Sequence, residues 1–300
     1  MAAKRYSAGM RTTLLIALCA GLAGAQTTFT WQDVNGTGLQ LSENSQPVFV
    51  YNYGMILSRG APEQMRRSTY LHPVYLPDGR LITDDFNPDH PHHRGISWMW
   101  PVVVVDGKTH DIWTVGDIRQ RFVRWTARDT APAGAKLGVE NGWFVGERKV
   151  VQEDVEVLTR PASGNTRVLE FTLRFEAVDS PVEIAGTPDQ KKGFGGFCFR
   201  FAPRDGGKEK TAIRTDKGIA KADGVMEAHP WAQVEGVFNG RPGGGRIDDD
   251  PSNPGVPNGW LMRHGFGFLN PSYPGLKPVR LERGRPLVLK YRVTLFAGPS

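Results

Sequence analysis

The 300-residue chain carries 37 Lys and Arg against 31 Asp and Glu, a formal net charge of +6. Half of that excess is Lys4, Arg5 and Arg11, so the remainder is near neutral for its length and excludes the dense basic stripe of a nucleic-acid binder. The one continuous apolar run, Leu14 to Leu22, is too short to span a bilayer, and no second long one follows.

The first element is a signal peptide over residues 1–25. A cationic start, the short apolar run and the small residues Ala23-Gly24-Ala25 fit that pattern, with cleavage expected before Gln26. The expected location is periplasmic or extracellular. Removing the three cations lowers the net charge to +3 and leaves Cys198 as the sole cysteine, so no intramolecular disulfide can form and the core must supply the stability. Cys198 lies between Phe197 and Phe199 and reads as a buried small hydrophobe.

Along 26–300 the dominant signal is alternation with period two. Leu169, Phe171, Leu173 and Phe175 interleave with polar residues, as do Leu287, Leu289, Tyr291, Val293 and Leu295. Further strands are expected at 48–53, 70–76, 96–105, 119–126, 142–145, 149–158, 194–201 and 234–238. Turns are expected at Asp78-Gly79, Asp106-Gly107, Asn141-Gly142, Asp205-Gly206-Gly207 and Pro242 to Gly245. Gly240 to Gly255 reads as a surface loop. The expected fold is all-β: one large antiparallel β-sandwich domain over residues 26–300.

The residues that point to chemistry lie in Asp84 to Arg94, DDFNPDHPHHR. Pro88 and Pro91 exclude a helix and make this a loop feeding the aromatic run Ile96-Ser97-Trp98-Met99-Trp100. Extended backbone would send His90 and His92 one way and His93 the other. Three readings stay open. His90, His92, Asp89 and His72 could act as acid or base, with Arg94, Asp85 and His93 binding substrate. His90 and His92 could ligate a transition metal, with Asp89 beside them. The segment could instead be a structural corner. Lys192, Trp98, His229-Pro230-Trp231 and Asn253 are further candidates for substrate binding, Trp as a platform for a sugar ring. GxSxG, a P-loop, a dinucleotide glycine fingerprint and HExxH are absent.

The runs His72-Pro73-Val74-Tyr75, Pro77-Asp78-Gly79, Thr83-Asp84-Asp85-Phe86 and Asp89-His90-Pro91-His92-His93-Arg94-Gly95 resemble the signature of the secreted bacterial PmoA-like ("methane oxygenase") family. Lys192 to Gly196, Pro230-Trp231-Ala232 and Pro251 to Gly255 with Trp260 resemble the same family. The resemblance implies a galactose-mutarotase-like supersandwich and a setting in sugar and polysaccharide breakdown. Membrane methane oxidation does not fit a chain of strands with one short apolar run. The leading expectation is an exported enzyme acting on a sugar or modified glycoside by His/Asp acid-base chemistry, with a carbohydrate as its partner and no cofactor. The alternatives are a non-catalytic carbohydrate-binding protein and a His-ligated metal enzyme.

Overall fold

A computed structural model describes residues 1–4 and 26–299. The leader expected at 1–25 lies, beyond its first four residues, outside the described residues. Among the described residues, two nine-stranded sheets and one four-stranded sheet make up the architecture. The first sheet runs, in spatial order, Phe29–Val34, Gly38–Glu43, Gln46–Asn52, Tyr70–Val74, Ile96–Met99, Gly196–Arg200, Phe268–Ser272, Gly259–Arg263 and Val225–Ala228. The second runs Gly218–Ile219, Ala212–Thr215, Trp231–Phe238, Arg241–Asp249, Leu287–Ala297, Thr166–Ala177, Arg148–Thr159, Gly134–Val145 and Ile118–Ala131. The small sheet holds Val279–Leu281, Val182–Ala185, Val102–Val105 and Lys108–His110. Neighbours pair antiparallel, as the all-β sandwich expectation requires. Among the described residues helix is confined to three short 3-10 turns, and no helix is long and apolar enough to cross a membrane.

The alternating strands behave as their pattern dictates. Leu169, Phe171, Leu173 and Phe175 are buried, while their partners face outward. The two large sheets close on one contiguous core. Phe197 of the first sheet lies 5.1 Å from Phe171 and 4.4 Å from Tyr291 of the second. Cys198 is buried, with its thiol 3.2 Å from the Ser97 hydroxyl; burial pushes its pKa up to about 12, so it is an unreactive thiol.

A polar network sits inside this core. Glu153 points inward from Arg148–Thr159 and is fully buried. Its carboxylate accepts from Trp143 Nε1 at 2.7 Å, Gln120 Nε2 at 2.9 Å and Asn141 Nδ2 at 2.9 Å. Asn141 also reaches the Tyr51 hydroxyl, and Gln120 the Trp98 carbonyl, so the network ties the two sheets together.

Several expected turns are strand instead. Gly240 to Gly255 was expected as a loop, yet Arg241–Asp249 is an interior strand of the second sheet, paired on both sides. Its glycines are a packing device: a methyl at Gly244 would overlap the Val234 carbonyl and the Phe296 ring. Asn141-Gly142 likewise lies within Gly134–Val145, and a methyl at Gly142 would meet the Phe144 ring at 2.7 Å. The expected strand at 96–105 divides into Ile96–Met99 and Val102–Val105, which join different sheets; Pro101, at the break, has no N–H to give a ladder.

Candidate functional site

The Asp84–Arg94 loop leads into Ile96–Met99, near the middle of the first sheet. Gly95 closes it. Its φ of +36° and its approach to the Leu71 carbonyl leave no room for a side chain. Its N–H donates to the Asp84 carbonyl at 2.8 Å, and its own carbonyl accepts from Arg200 N at 2.8 Å.

Within the loop the backbone turns rather than extends. His90 N donates to the Asn87 carbonyl and His93 N to the His90 carbonyl, at 3.1 and 2.9 Å. The alternation expected for extended backbone therefore does not apply, and all three imidazoles meet. His93 stacks between His90 at 4.8 Å and Phe268 at 4.4 Å, with interplanar angles of 5° and 14°. His92 packs edge-on against His93 at 4.5 Å. Trp113 and Phe266 complete an aromatic wall, Trp113 5.6 Å from His93 and Phe266 4.6 Å from His90.

The exposed edge of this cluster is His90 and Asp89, with side chains 37% and 38% accessible. Asp89 Oδ2 lies 3.3 Å from His90 Nδ1. Its other oxygen accepts from Arg200 Nη2 at 2.8 Å. Burial alone would raise the Asp89 pKa, but the Arg200 charge and hydrogen bond outweigh it, so the carboxyl ionises below its usual range. Arg200 also lies 3.4 Å from Asp84 and over the Phe266 ring at 4.6 Å, and its Nη1 is buried without a partner. Burial, with Arg67, His90 and other cations nearby, lowers the His92 pKa to about 3. Burial, then its histidine neighbours, pushes His93 lower still. Both rings are neutral at pH 7.

Among the described residues no group of three or more His, Cys, Asp or Glu side chains is arranged to hold a metal ion. An imidazole coordinates in its ring plane, so His90 and His93, stacked at 5°, do not aim their lone pairs at one point, whereas His90 and His92 meet at 71°.

Residues 38–300 match the sequence profile of a family of unknown function. The chain belongs to DUF6807. No curated protein matches its sequence significantly. Among solved structures, it is similar to a galactose mutarotase related enzyme from Lactobacillus acidophilus, with 10% identity and a TM-score of 0.41 over 89% of this chain and 97% of that one. It is also similar to a protein described as heparinase III, with 10% identity and a TM-score of 0.23 over 87% of this chain and 30% of that one.

The other expected site residues of this DUF6807 chain divide sharply. Arg94 is fully buried: it donates to Asp85 at 3.0 Å and to the Met65 carbonyl at 2.5 Å, and it covers the Phe86 ring at 3.1 Å. It and Asp85, which also accepts from Tyr70, hold the loop and are not available to a substrate. Trp98 is likewise no platform, because its indole is wholly within the core beside Phe197. His72 binds the Thr83 hydroxyl at 3.0 Å, on the Asp84–Asp85 side of the loop, and makes no ring contact with the three histidines. Lys192 pairs with Asp189 at 3.3 Å, two residues from Phe194, whose ring packs on Trp113.

His229, Trp231 and Asn253 of the DUF6807 fold do not join the loop. His229 is buried against Asp216 at 2.6 Å. Trp231 begins a strand of the second sheet, and Asn253 clamps Asp249 and the Lys290 backbone beside it. Sequence reasoning missed Arg200, Trp113 and Phe266. Arg200 alone left a signal, an arginine closing the aromatic strand Gly196–Arg200.

Proposed function

We propose that this protein is an exported sugar- or glycoside-modifying enzyme whose proton-transfer group is His90, held by Asp89. The observation that carries this reading is the half-exposed Asp89–His90 contact backed by buried Arg200. The Asp89 carboxylate lies 3.3 Å from Nδ1, which makes no aligned hydrogen bond, and its charge favours the tautomer with the proton on that nitrogen. That tautomer leaves Nε2 to take a proton from a substrate hydroxyl or activated C–H and to return it. Neutral His92 supplies an uncharged hydrogen-bonding group beside it, one that stays neutral across physiological pH. Phe266 offers an apolar surface to a sugar ring. Arg200, rather than Arg94, is the cation that holds Asp89, and being buried it acts on that carboxylate and not on a substrate. The loop's resemblance to the PmoA-like signature supports the carbohydrate class.

The test is conversion. Purified protein is incubated with a panel of free sugars, glycosides and oxidised glycosides, and products are followed by chromatography and mass spectrometry. Turnover by the wild type that is lost in Asp89→Asn and His90→Gln, both folded, is the expected result. A folded wild type that converts no member of the panel defeats the reading.

A further inference from the structure

A cavity of about 640 Å³ lies away from the histidine loop, on the second sheet. Its floor is a single register row across five strands: Trp231 opposite Asp248, Asp248 opposite Arg292, Arg292 opposite Glu170, and Glu170 opposite Leu158. The neighbouring row, Asp249, Tyr291 and Phe171, is buried toward the core, so the floor row faces outward. A wall rises on one side from Pro230, Asp250, Pro251 and Val256. That wall is braced. Asn253 ties it to the Asp249 carboxylate at 2.7 Å and to Lys290 N at 2.7 Å, and Asn258 donates to the other Asp249 oxygen at 2.9 Å.

We infer that this cleft is a second, non-catalytic binding site for an uncharged saccharide, with Trp231 as its platform. The Arg246 guanidinium covers the indole at 4.0 Å, and the cavity borders Trp231 without bordering Arg246, so indole surface remains for a sugar's C–H face. The two floor carboxylates are already paired, Asp248 with Arg246 and Glu170 with Arg292 and Arg160. They present fixed acceptors for hydroxyl groups while their charge is compensated on the spot, which disfavours a charged ligand. Lys290 adds a donor at the rim. The volume falls within the ~300–1,000 Å³ usual for small-molecule sites. Trp231, Asp248 and Arg292 stand on neighbouring strands, so the geometry is set before a ligand arrives.

The ligand class rests on the carbohydrate reading above, but the site does not depend on its chemistry. Titration calorimetry of the full-length protein with cellotetraose, xylotetraose, maltotetraose and galactotetraose tests it, together with the Trp231 indole N–H signal in NMR spectra, assigned with Trp231→Phe. At least one of these sugars is expected to bind and to shift that signal. Trp231→Ala and Arg292→Ala should each weaken binding by about tenfold or more, while His90→Gln should leave affinity unchanged even where it abolishes turnover. Asp248→Asn, a nearly isosteric change, guards against a folding artefact and should also weaken binding. Binding that survives both Trp231→Ala and Asp248→Asn, binding lost only in His90→Gln, or an indole signal that none of the sugars moves would each overturn the assignment. A folded wild type that converts no member of the substrate panel yet binds a saccharide here would defeat the proposed activity and leave this site standing.

Discussion

Arg200 and Asp89, 111 residues apart in sequence, meet at 2.8 Å and join the end of a central strand to the exposed tip of the histidine loop. Arg200 is buried and Asp89 is more than a third accessible, so the pair is anchored below and presents a carboxylate above.

Asp89→Asn should therefore act on turnover more than on folding. Loss of the ionised oxygen at His90 should lower kcat by about 10²–10⁴-fold, the usual span for a positioned acid-base group. The exposed position should keep the melting temperature close to wild type. Kinetics on any converted sugar, set beside calorimetry, separates the two effects.

Arg94 should behave in the opposite way. Its removal strands Asp85 and opens the space over Phe86, so Arg94→Met should destabilise the fold by about 3–5 kcal/mol, the usual cost of breaking a buried ion pair. Urea denaturation measures this. If Arg94→Met folds at wild-type stability and only KM rises, Arg94 is a substrate ligand after all.

The depressed histidines give a pH dependence with a definite sign. His92 has a folded pKa of about 3 against 6.5 in the unfolded chain. Between those values the unfolded state binds a proton that the folded state refuses, so this stability is present above pH 6.5 and is lost as pH falls toward 3. Urea midpoints should fall from pH 7 to pH 4, and His92→Asn should flatten that slope. An equal slope in the variant would assign the acid sensitivity elsewhere.

Glu153 should be intolerant of truncation. Burial raises its pKa, but three donors converge on it, and Glu153→Ala would leave the Trp143, Gln120 and Asn141 groups without an acceptor. The expected loss is about 3–5 kcal/mol by urea denaturation. Glu153→Gln should recover part of it, because one amide oxygen still accepts.

Gly244→Ala should cost about 1–3 kcal/mol or prevent folding, since the added methyl meets backbone and a packed ring. Gly265→Ala, where a methyl would meet nothing, should be nearly neutral. Melting temperatures of the two variants settle the contrast.

The sequence by itself determined the all-β class and most of the long strands, because a two-residue period states which side chains face a core. It also located the histidine loop, because Pro88 and Pro91 deny that segment regular structure. Tertiary structure alone decided the rest. The period names a face but not the neighbouring strand, and Ile96–Met99 pairs with Gly196–Arg200 across about a hundred residues. That pairing delivers Arg200 to Asp89 and puts Trp98 in the core beside Phe197, while a separate pairing with Asp248 holds Trp231 on the second sheet. Glycine misled for the same reason. Gly243-Gly244-Gly245 has the composition of a turn, yet in the fold it is where aromatic rings lie against a central strand.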